Sequence, residues 1–271
     1  MVKCHLCTRE IDDEFVFCPF CGEPQTQLPA GLLGEELSVK IGEILGGAQR
    51  RLQAVIGALS RYIETPVVDS IISGDMGELH GVRREVTILF SDIRNSSGII
   101  ARLEPEEGLE LLNNHHDRMA ATVQATDGVL DKFIGDGMMA FYSKGEPADH
   151  AVRAVRAALR MREYVTEANE DWPMPDIPFR IGVGINTGVA LVGSVGSRYR
   201  QDYTAVGAEV NYVSDLQIAA KEHAVDIVIS RSTHELVADR IEAKQIGVLH
   251  RPPDDEQEPV YHVVRERRAS D

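Results

Sequence analysis

Four cysteines, all within the first 21 of 271 residues, carry the most explicit chemistry in the chain. Two residues separate Cys4 from Cys7 and Cys18 from Cys21, and ten lie between the pairs. Thiols at that spacing point into one tetrahedron, and thiolates hold Zn²⁺ at ~2.3 Å in closed structural sites. Nothing in the chain points to secretion, which argues against disulfides, and a redox pair needs only one Cys-x-x-Cys. The spacing therefore predicts one structural Zn²⁺ on Cys4, Cys7, Cys18 and Cys21, with His5 a bystander. A unit of about 25 residues needs such a metal to fold.

Two carboxylates stand out by position. Asp92 follows the apolar run Glu85–Ser91, and Asp136 sits between Gly135 and Gly137, where two short apolar runs, Val129–Ile134 and Met138–Tyr142, read as a hairpin. An aspartate at a hairpin tip is ordinarily a turn residue. If the hairpin pairs beside the first strand, however, both acids meet at one sheet edge. They would repel each other there unless they shared hard cations such as Mg²⁺. The stretch Ile93, Arg94, Asn95, Ser96 and Ser97 offers backbone amides suited to a triphosphate.

The elements that must position these residues follow from periodicity. Ile41, Leu45, Ala48, Leu52, Val55, Leu59 and Tyr62 recur at alternating spacings of 4 and 3, a seam for a parallel dimeric coiled coil that is best formed from Gln49 to Glu64. Pro66 ends it and Val67–Ser73 continues as a further helical piece. Long helices are expected over Pro105–Thr126 and Pro147–Asn169, with a Pro-rich connector between Trp172 and Pro178 in which Trp172 is a packing anchor. Strands are expected at Phe179–Asn186 and Val189–Ser194, then a helix over Ala208–Glu222, a strand at Asp226–Ser230, a short helix at Thr233–Ala238, and strands near Ala243–Leu249 and Val260–Val264. His115 and His116, adjacent in the first long helix, point about 100° apart and suit neither a metal site nor a dyad. The order implies an α+β fold of ferredoxin-like type with its helices on one face. The expected segments are 1–26, 27–80, 81–264 and a polar tail over 265–271.

Composition excludes several classes. With 43% apolar and 26% charged residues the chain is neither disordered nor membrane-spanning, and no run approaches ~20 apolar residues. The N-terminus lacks the apolar stretch of a secretory signal, so a cytoplasmic location is expected. A formal charge of −15 argues against a nucleic-acid partner.

The blocks VTILFSDIRNSSGI (Val86–Ile99), VLDKFIGDGMMAFY (Val129–Tyr142), RIGVGINTGVALVGSVGS (Arg180–Ser197) and DYTAVGAEVNYVSDLQIAAKE (Asp202–Glu222) resemble successive blocks of the class III nucleotidyl cyclase catalytic domain, in its order and spacing across about residues 61–264. Cys18–Gly22 (CPFCG) resembles a zinc-ribbon knuckle, and residues 61–72 resemble the helical transducer that precedes such domains. The resemblance implies a ferredoxin-like cyclase domain behind a helical segment and a small zinc ribbon. It implies that Asp92 and Asp136, with the Ile93 carbonyl, hold two Mg²⁺ or Mn²⁺ ions. Lys132 and Thr204 match the positions that read the purine, as an adenylyl-type pair, and Asn211 matches the residue that orients the ribose. ATP is the implied substrate and cyclic AMP with diphosphate the implied products. The site would form between two copies of the chain, and the zinc ribbon would serve a regulatory protein partner.

The pattern breaks at Asp215. Four residues after Asn211 the family places an arginine that stabilises the transferring phosphoryl group, so the charge here is reversed. Ser96 and Ser97 replace the family's Phe-Thr, and Arg251-Pro252 replaces a Lys-Gly that touches phosphate. Arg251 is a candidate substitute for that lysine, and Arg94 or Arg198 for the missing arginine. Two outcomes follow: a slow or conditionally active adenylate cyclase, or a degenerate cyclase-homology domain that binds nucleotide or dimerises to regulate a partner.

Overall fold

The run Val86–Phe90, with its bulky side chains alternating between two faces, occupies the middle of a large sheet in the computed structural model, which describes residues 2–4, 6–11, 18, 20–21, 46–47, 49, 52–56, 65–73, 81–197, 199–251 and 256–267. The chain divides into two compact units, Met1–Leu59 and Ser60–Asp271.

In the first unit, β1 (Val2–Lys3) pairs antiparallel with β2 (Glu10–Ile11). Thr8, in the left-handed region at φ 56°, closes the turn between them. Residues 46, 47, 49 and 52–56 are helical, and Leu52 and Val55 of the expected seam are more than half exposed. Ile41, Leu45, Ala48, Leu59 and Tyr62 lie outside the described residues, as does His5.

The second unit begins with α1 (Thr65–Ser73), in which Pro66 stands in the first turn, where its missing N–H costs nothing. The elements that follow are β3 (Val82–Ile93), α2 (Ser96–Ile100), α3 (Pro105–Gln124), β4 (Val129–Ile134), β5 (Gly137–Tyr142), α4 (Pro147–Ala168) and β6 (Ile181–Gly196). They continue with β7 (Gln201–Val206), α5 (Ala208–Glu222), β8 (Ile227–Ile229), α6 (Arg231–Val237), β9 (Ile241–Arg251) and β10 (Glu256–Glu266). The sheet order is β4-β5-β3-β6-β8-β10-β9, with β7 pairing the far half of β6. Among the described residues, only β6 and β8 run parallel. The fold is the expected mixed α+β sheet.

Three expectations change. The two strands expected at 179–186 and 189–194 are one strand, β6. Its expected interruption, Thr187-Gly188, looks like a turn but is accommodated inside the sheet. Thr187 bonds Thr87 across the ladder at 2.8 Å and Thr233 at 3.0 Å, Thr87 in turn bonds His150 Nδ1 at 2.7 Å, and Asn186 donates to Glu209 Oε2 at 2.6 Å. The Asn186 and Thr187 side chains thus find partners within the fold. Asp92 belongs to β3 rather than following it. The helices do not share one face: α3 and α4 cover the side with Leu89, Val183 and Ile185, whereas α5 packs on the other, where Val213 meets Val86 and Ile88.

Glycine makes the second packing possible. A Cβ at Gly184 would lie 2.5 Å from the Val213 carbonyl and 2.6 Å from the Gln217 backbone nitrogen, so α5 rests directly on β6. At Gly188, a Cβ would lie 2.6 Å from the Glu209 carboxyl carbon. Trp172 is the anchor expected of it, stacked on Phe179 at 4.9 Å and donating its indole N–H to the Ile177 carbonyl at 2.7 Å.

Candidate active site

The antiparallel pairing of β5 with β3 sets Met138 opposite Ser91. The β4–β5 turn therefore arrives beside the C-terminal end of β3, and Asp136 meets Asp92. The Ile93 backbone N–H donates to Asp136 Oδ2 at 3.1 Å, fixing the turn residue to the strand. A Cβ at Gly137 would come within 3.1 Å of the Ser91 carbonyl and 3.4 Å of Asp92 Oδ1, which is why glycine follows the aspartate. Burial pushes the Asp92 carboxyl up to about 7, and the hydrogen-bonded, like-charged Asp136 adds to the shift. Arg94, close by, pulls the other way. Two hard oxygen donors are thus gathered where one ionises reluctantly, a donor set that fits Mg²⁺ or Mn²⁺.

The candidate positions flanking Asp92 are already engaged within the fold. Arg94 crosses the Gly182 backbone, where a Cβ would strike its guanidinium at 2.7 Å, and donates to the Val225 carbonyl at 2.9 Å. Asn95 adopts the left-handed conformation at φ 56°, with its side-chain amide folded over Gly98. Ser96 and Ser97 open the five-residue α2. Behind the turn, His116 stacks on Phe133 at 4.1 Å, and His115 is fully buried, with burial lowering its pKa to about 4.

A second cluster forms around Lys132 and Thr204. Lys132 Nζ lies 3.4 Å from Thr204 Oγ1, 3.0 Å from Asp131 Oδ1 and 4.0 Å from Asp202 Oδ2. The Thr204 hydroxyl donates to Asp131 Oδ2 at 2.5 Å. Burial raises the Asp131 pKa, opposed by its hydrogen bonds from Thr204 and Lys132. Sequence reasoning missed Asp131, because strict alternation would send it to the face opposite Lys132. A register shift in β4 between Leu130 and Lys132 changes that geometry. In such a bulge two consecutive residues oppose one partner.

Asn211 and Asp215 share the outward face of α5, both exposed, one helical turn apart, while Tyr212, Val213 and Leu216 are buried beneath them. Partial burial raises the Asp215 pKa. Arg251 makes a double ion pair, with Glu209 at 2.9 Å and Glu258 at 3.0 Å, and lies over the Tyr212 ring. A role for it at phosphate would require exchange of those two carboxylates. Arg198 lies outside the described residues.

In the N-terminal unit the four cysteine sulfurs lie within 4.8 Å of one another. Cys4 and Cys21, and Cys7 and Cys18, are each 3.5 Å apart, far beyond the ~2.05 Å of a disulfide. The Cys7 backbone amide is the main cause that holds the Cys4 thiol down at about 6. A converging set of four thiols fits Zn²⁺.

Residues 80–253 match the family described as Adenylate and Guanylate cyclase catalytic domain. Adenylate cyclase 1 of Rhizobium meliloti is 32% identical over 240 residues, covering 86% of this chain and 36% of that protein. The adenylate cyclase of Anabaena cylindrica is 26% identical over 207 residues, covering 72% of this chain and 40% of that protein. The chain therefore spans well under half the length of these curated relatives. Among solved structures, the adenylyl cyclase CyaB from P. aeruginosa is 33% identical with a TM-score of 0.63, over 69% of this chain and 97% of that one. The guanylyl cyclase Cya2 is 30% identical with a TM-score of 0.60, over 68% and 93%.

Proposed function

The chain belongs to the adenylate and guanylate cyclase catalytic domain family, and from that premise we propose that it converts ATP to 3′,5′-cyclic AMP and diphosphate at a homodimer interface. The observation that carries this reading is the meeting of Asp92 with Asp136, since the pair is costly to the fold unless cations compensate it. Mg²⁺ or Mn²⁺ bound there supplies the positive charge that eases loss of the ribose 3′-hydroxyl proton and neutralises the departing diphosphate. Asp92, Asp136 and the Ile93 carbonyl hold the triphosphate end through that charge. Lys132 and Thr204 face the purine edge, and Asn211 orients the ribose so that its 3′-oxygen attacks the α-phosphorus in line. Exposed apolar side chains on the β6–β7 arm, Val189, Leu191, Val195 and Val206, support a partner copy. The four thiols support one structural Zn²⁺ and a zinc ribbon over residues 1–26, a module suited to a regulatory protein partner. Residues 27–80 serve as the dimerising linker and 81–264 as the cyclase domain.

Asp215 favours a second reading, a degenerate domain that binds nucleotide or dimerises to regulate a partner. A carboxylate on the exposed face shared with Asn211 supplies no positive charge to the transition state. One assay separates the two. Purified chain is given ATP or GTP with Mn²⁺ or Mg²⁺, and wild type is compared with Asp92→Ala and Asp215→Arg. Cyclic AMP formation lost in Asp92→Ala, and raised in Asp215→Arg by roughly 10²–10³-fold, is the expected result. A wild type silent with both nucleotides would establish the degenerate reading.

A further inference from the structure

Lysine and threonine are an ambiguous pair for reading a purine. An ammonium only donates, but a threonine hydroxyl both donates and accepts. By rotating, Thr204 alone would satisfy either the 6-amino group of adenine or the 6-oxo group of guanine. The structure removes that freedom. Asp131, whose side chain is fully buried, accepts the Thr204 hydroxyl through Oδ2 at 2.5 Å, while its Oδ1 pairs with Lys132 at 3.0 Å. The competing acceptor for that hydroxyl, the Ala205 carbonyl, is at 3.4 Å, so the carboxylate wins on both distance and charge.

A count of donors and acceptors gives the consequence. The Thr204 hydroxyl spends its one proton on Asp131. Of its two lone pairs, one receives Lys132 Nζ at 3.4 Å and the other is left. Lys132 spends one N–H on Thr204 and is held by the charge of Asp131 Oδ1 at 3.0 Å, while Asp202 at 4.0 Å is beyond hydrogen-bond range, so Lys132 keeps an N–H to donate. The pair therefore presents a donor at Lys132 and an acceptor at Thr204. Adenine offers an acceptor at N1 and a donor at its 6-amino group, and matches both. With Lys132 facing N1 and Thr204 facing position 6, guanine, which offers a donor at N1 and an acceptor at O6, mismatches both.

We propose that Asp131 is the residue that sets the purine preference of this site, by holding the Thr204 hydroxyl as an acceptor toward the ligand. It is a positioning residue, acting on the nucleotide only through Thr204 and Lys132. The proposal rests on the reading of that pair as the purine-contacting one.

The test uses the full chain with Mn²⁺ and measures equilibrium binding of the α,β-methylene analogues of ATP and GTP, alongside turnover. Wild type prefers the ATP analogue. In Asp131→Asn, whose amide can donate to Thr204 and turn its hydroxyl outward, the preference narrows at least about tenfold, the scale of one mismatched buried hydrogen bond. Thr204→Val narrows it as well, and Asp131→Asn added to Thr204→Val narrows it no further. An unchanged preference in Asp131→Asn, or an equal narrowing in the Thr204→Val background, overturns the proposal. A substrate-side measurement avoids the buried substitution altogether. The 6-methoxypurine riboside analogue keeps N1 as an acceptor but places an acceptor oxygen at position 6. It binds wild type at least about tenfold more weakly than the adenine analogue, and Thr204→Ala removes the difference. Equal binding to wild type, or a difference that survives Thr204→Ala, overturns the proposal. A wild type that binds neither nucleotide overturns the purine-site reading and the proposal with it. One that binds ATP without turnover refutes catalysis alone, and the binding ratios still decide the role of Asp131.

Discussion

At the scale of single residues, the site is built from charges placed where the fold alone would not choose them. Burial and Asp136 hold the Asp92 carboxyl up at about 7, against an ordinary value near 4. Because the folded state binds this proton more tightly than the unfolded chain, protonation favours folding. The stability tied to Asp92 is therefore present below the unfolded value and lost as pH rises toward 7. In metal-free protein the melting temperature should fall between about pH 4 and pH 7, and Asp92→Asn should flatten that fall. Added Mn²⁺ should restore stability at the alkaline end in wild type and not in Asp92→Asn, since a cation there relieves the repulsion and displaces the proton. Calorimetric scans across pH, with and without Mn²⁺, check both statements. A flat wild-type profile would show that the two acids are not coupled in solution.

At the scale of elements, the polar and glycine residues of β6 decide where α5 can sit, and α5 carries Asn211 and Asp215. Gly184→Ala would put a methyl group about where the Val213 carbonyl and Gln217 nitrogen now pack, and backbone cannot yield as a side-chain tip can. The expected cost is about 1–3 kcal/mol in urea unfolding, from overpacking, together with reduced turnover as α5 lifts away. Gly135→Ala has open space around its Cβ but a φ of 64°, so it tests turn strain without touching α5. These elements also mark how much the sequence discloses. The hairpin that delivers Asp136 and the long helices were legible because each is a local pattern: apolar runs broken by Gly-Asp-Gly, and Pro105 or Pro147 opening a periodic segment. The continuity of β6 was not legible, since Asn186 and Thr187 end a strand unless partners 46 to 100 residues away satisfy them. β7 went unread for a related reason: QDYTAV is short and gains its burial only by pairing with the far half of β6. At the site, Asp92, Asp136, Lys132 and Thr204 were readable from contiguous motifs. Asp131 was hidden by a bulge that no periodicity reveals.

At the scale of the whole molecule, the division at Leu59 and Ser60 separates a thiol-bearing unit from the cyclase unit, and each can be tested alone. If residues 27–64 dimerise, they raise the effective concentration of one cyclase unit near the other, typically into the millimolar range for short connections. Deleting residues 1–64 should then leave α1 and the cyclase unit folded, with a near-unchanged melting transition. The dimer should weaken so that turnover becomes steeply dependent on protein concentration and approaches the full-length rate only when concentrated. Stripping Zn²⁺ with a chelator should unfold the cysteine unit but spare the dimer, because the seam is separate from the thiols. Sedimentation velocity and rate measurements over a hundredfold range of concentration distinguish these outcomes. Concentration-independent turnover after the deletion would place dimerisation wholly within the cyclase unit, in the exposed apolar side chains of the β6–β7 arm.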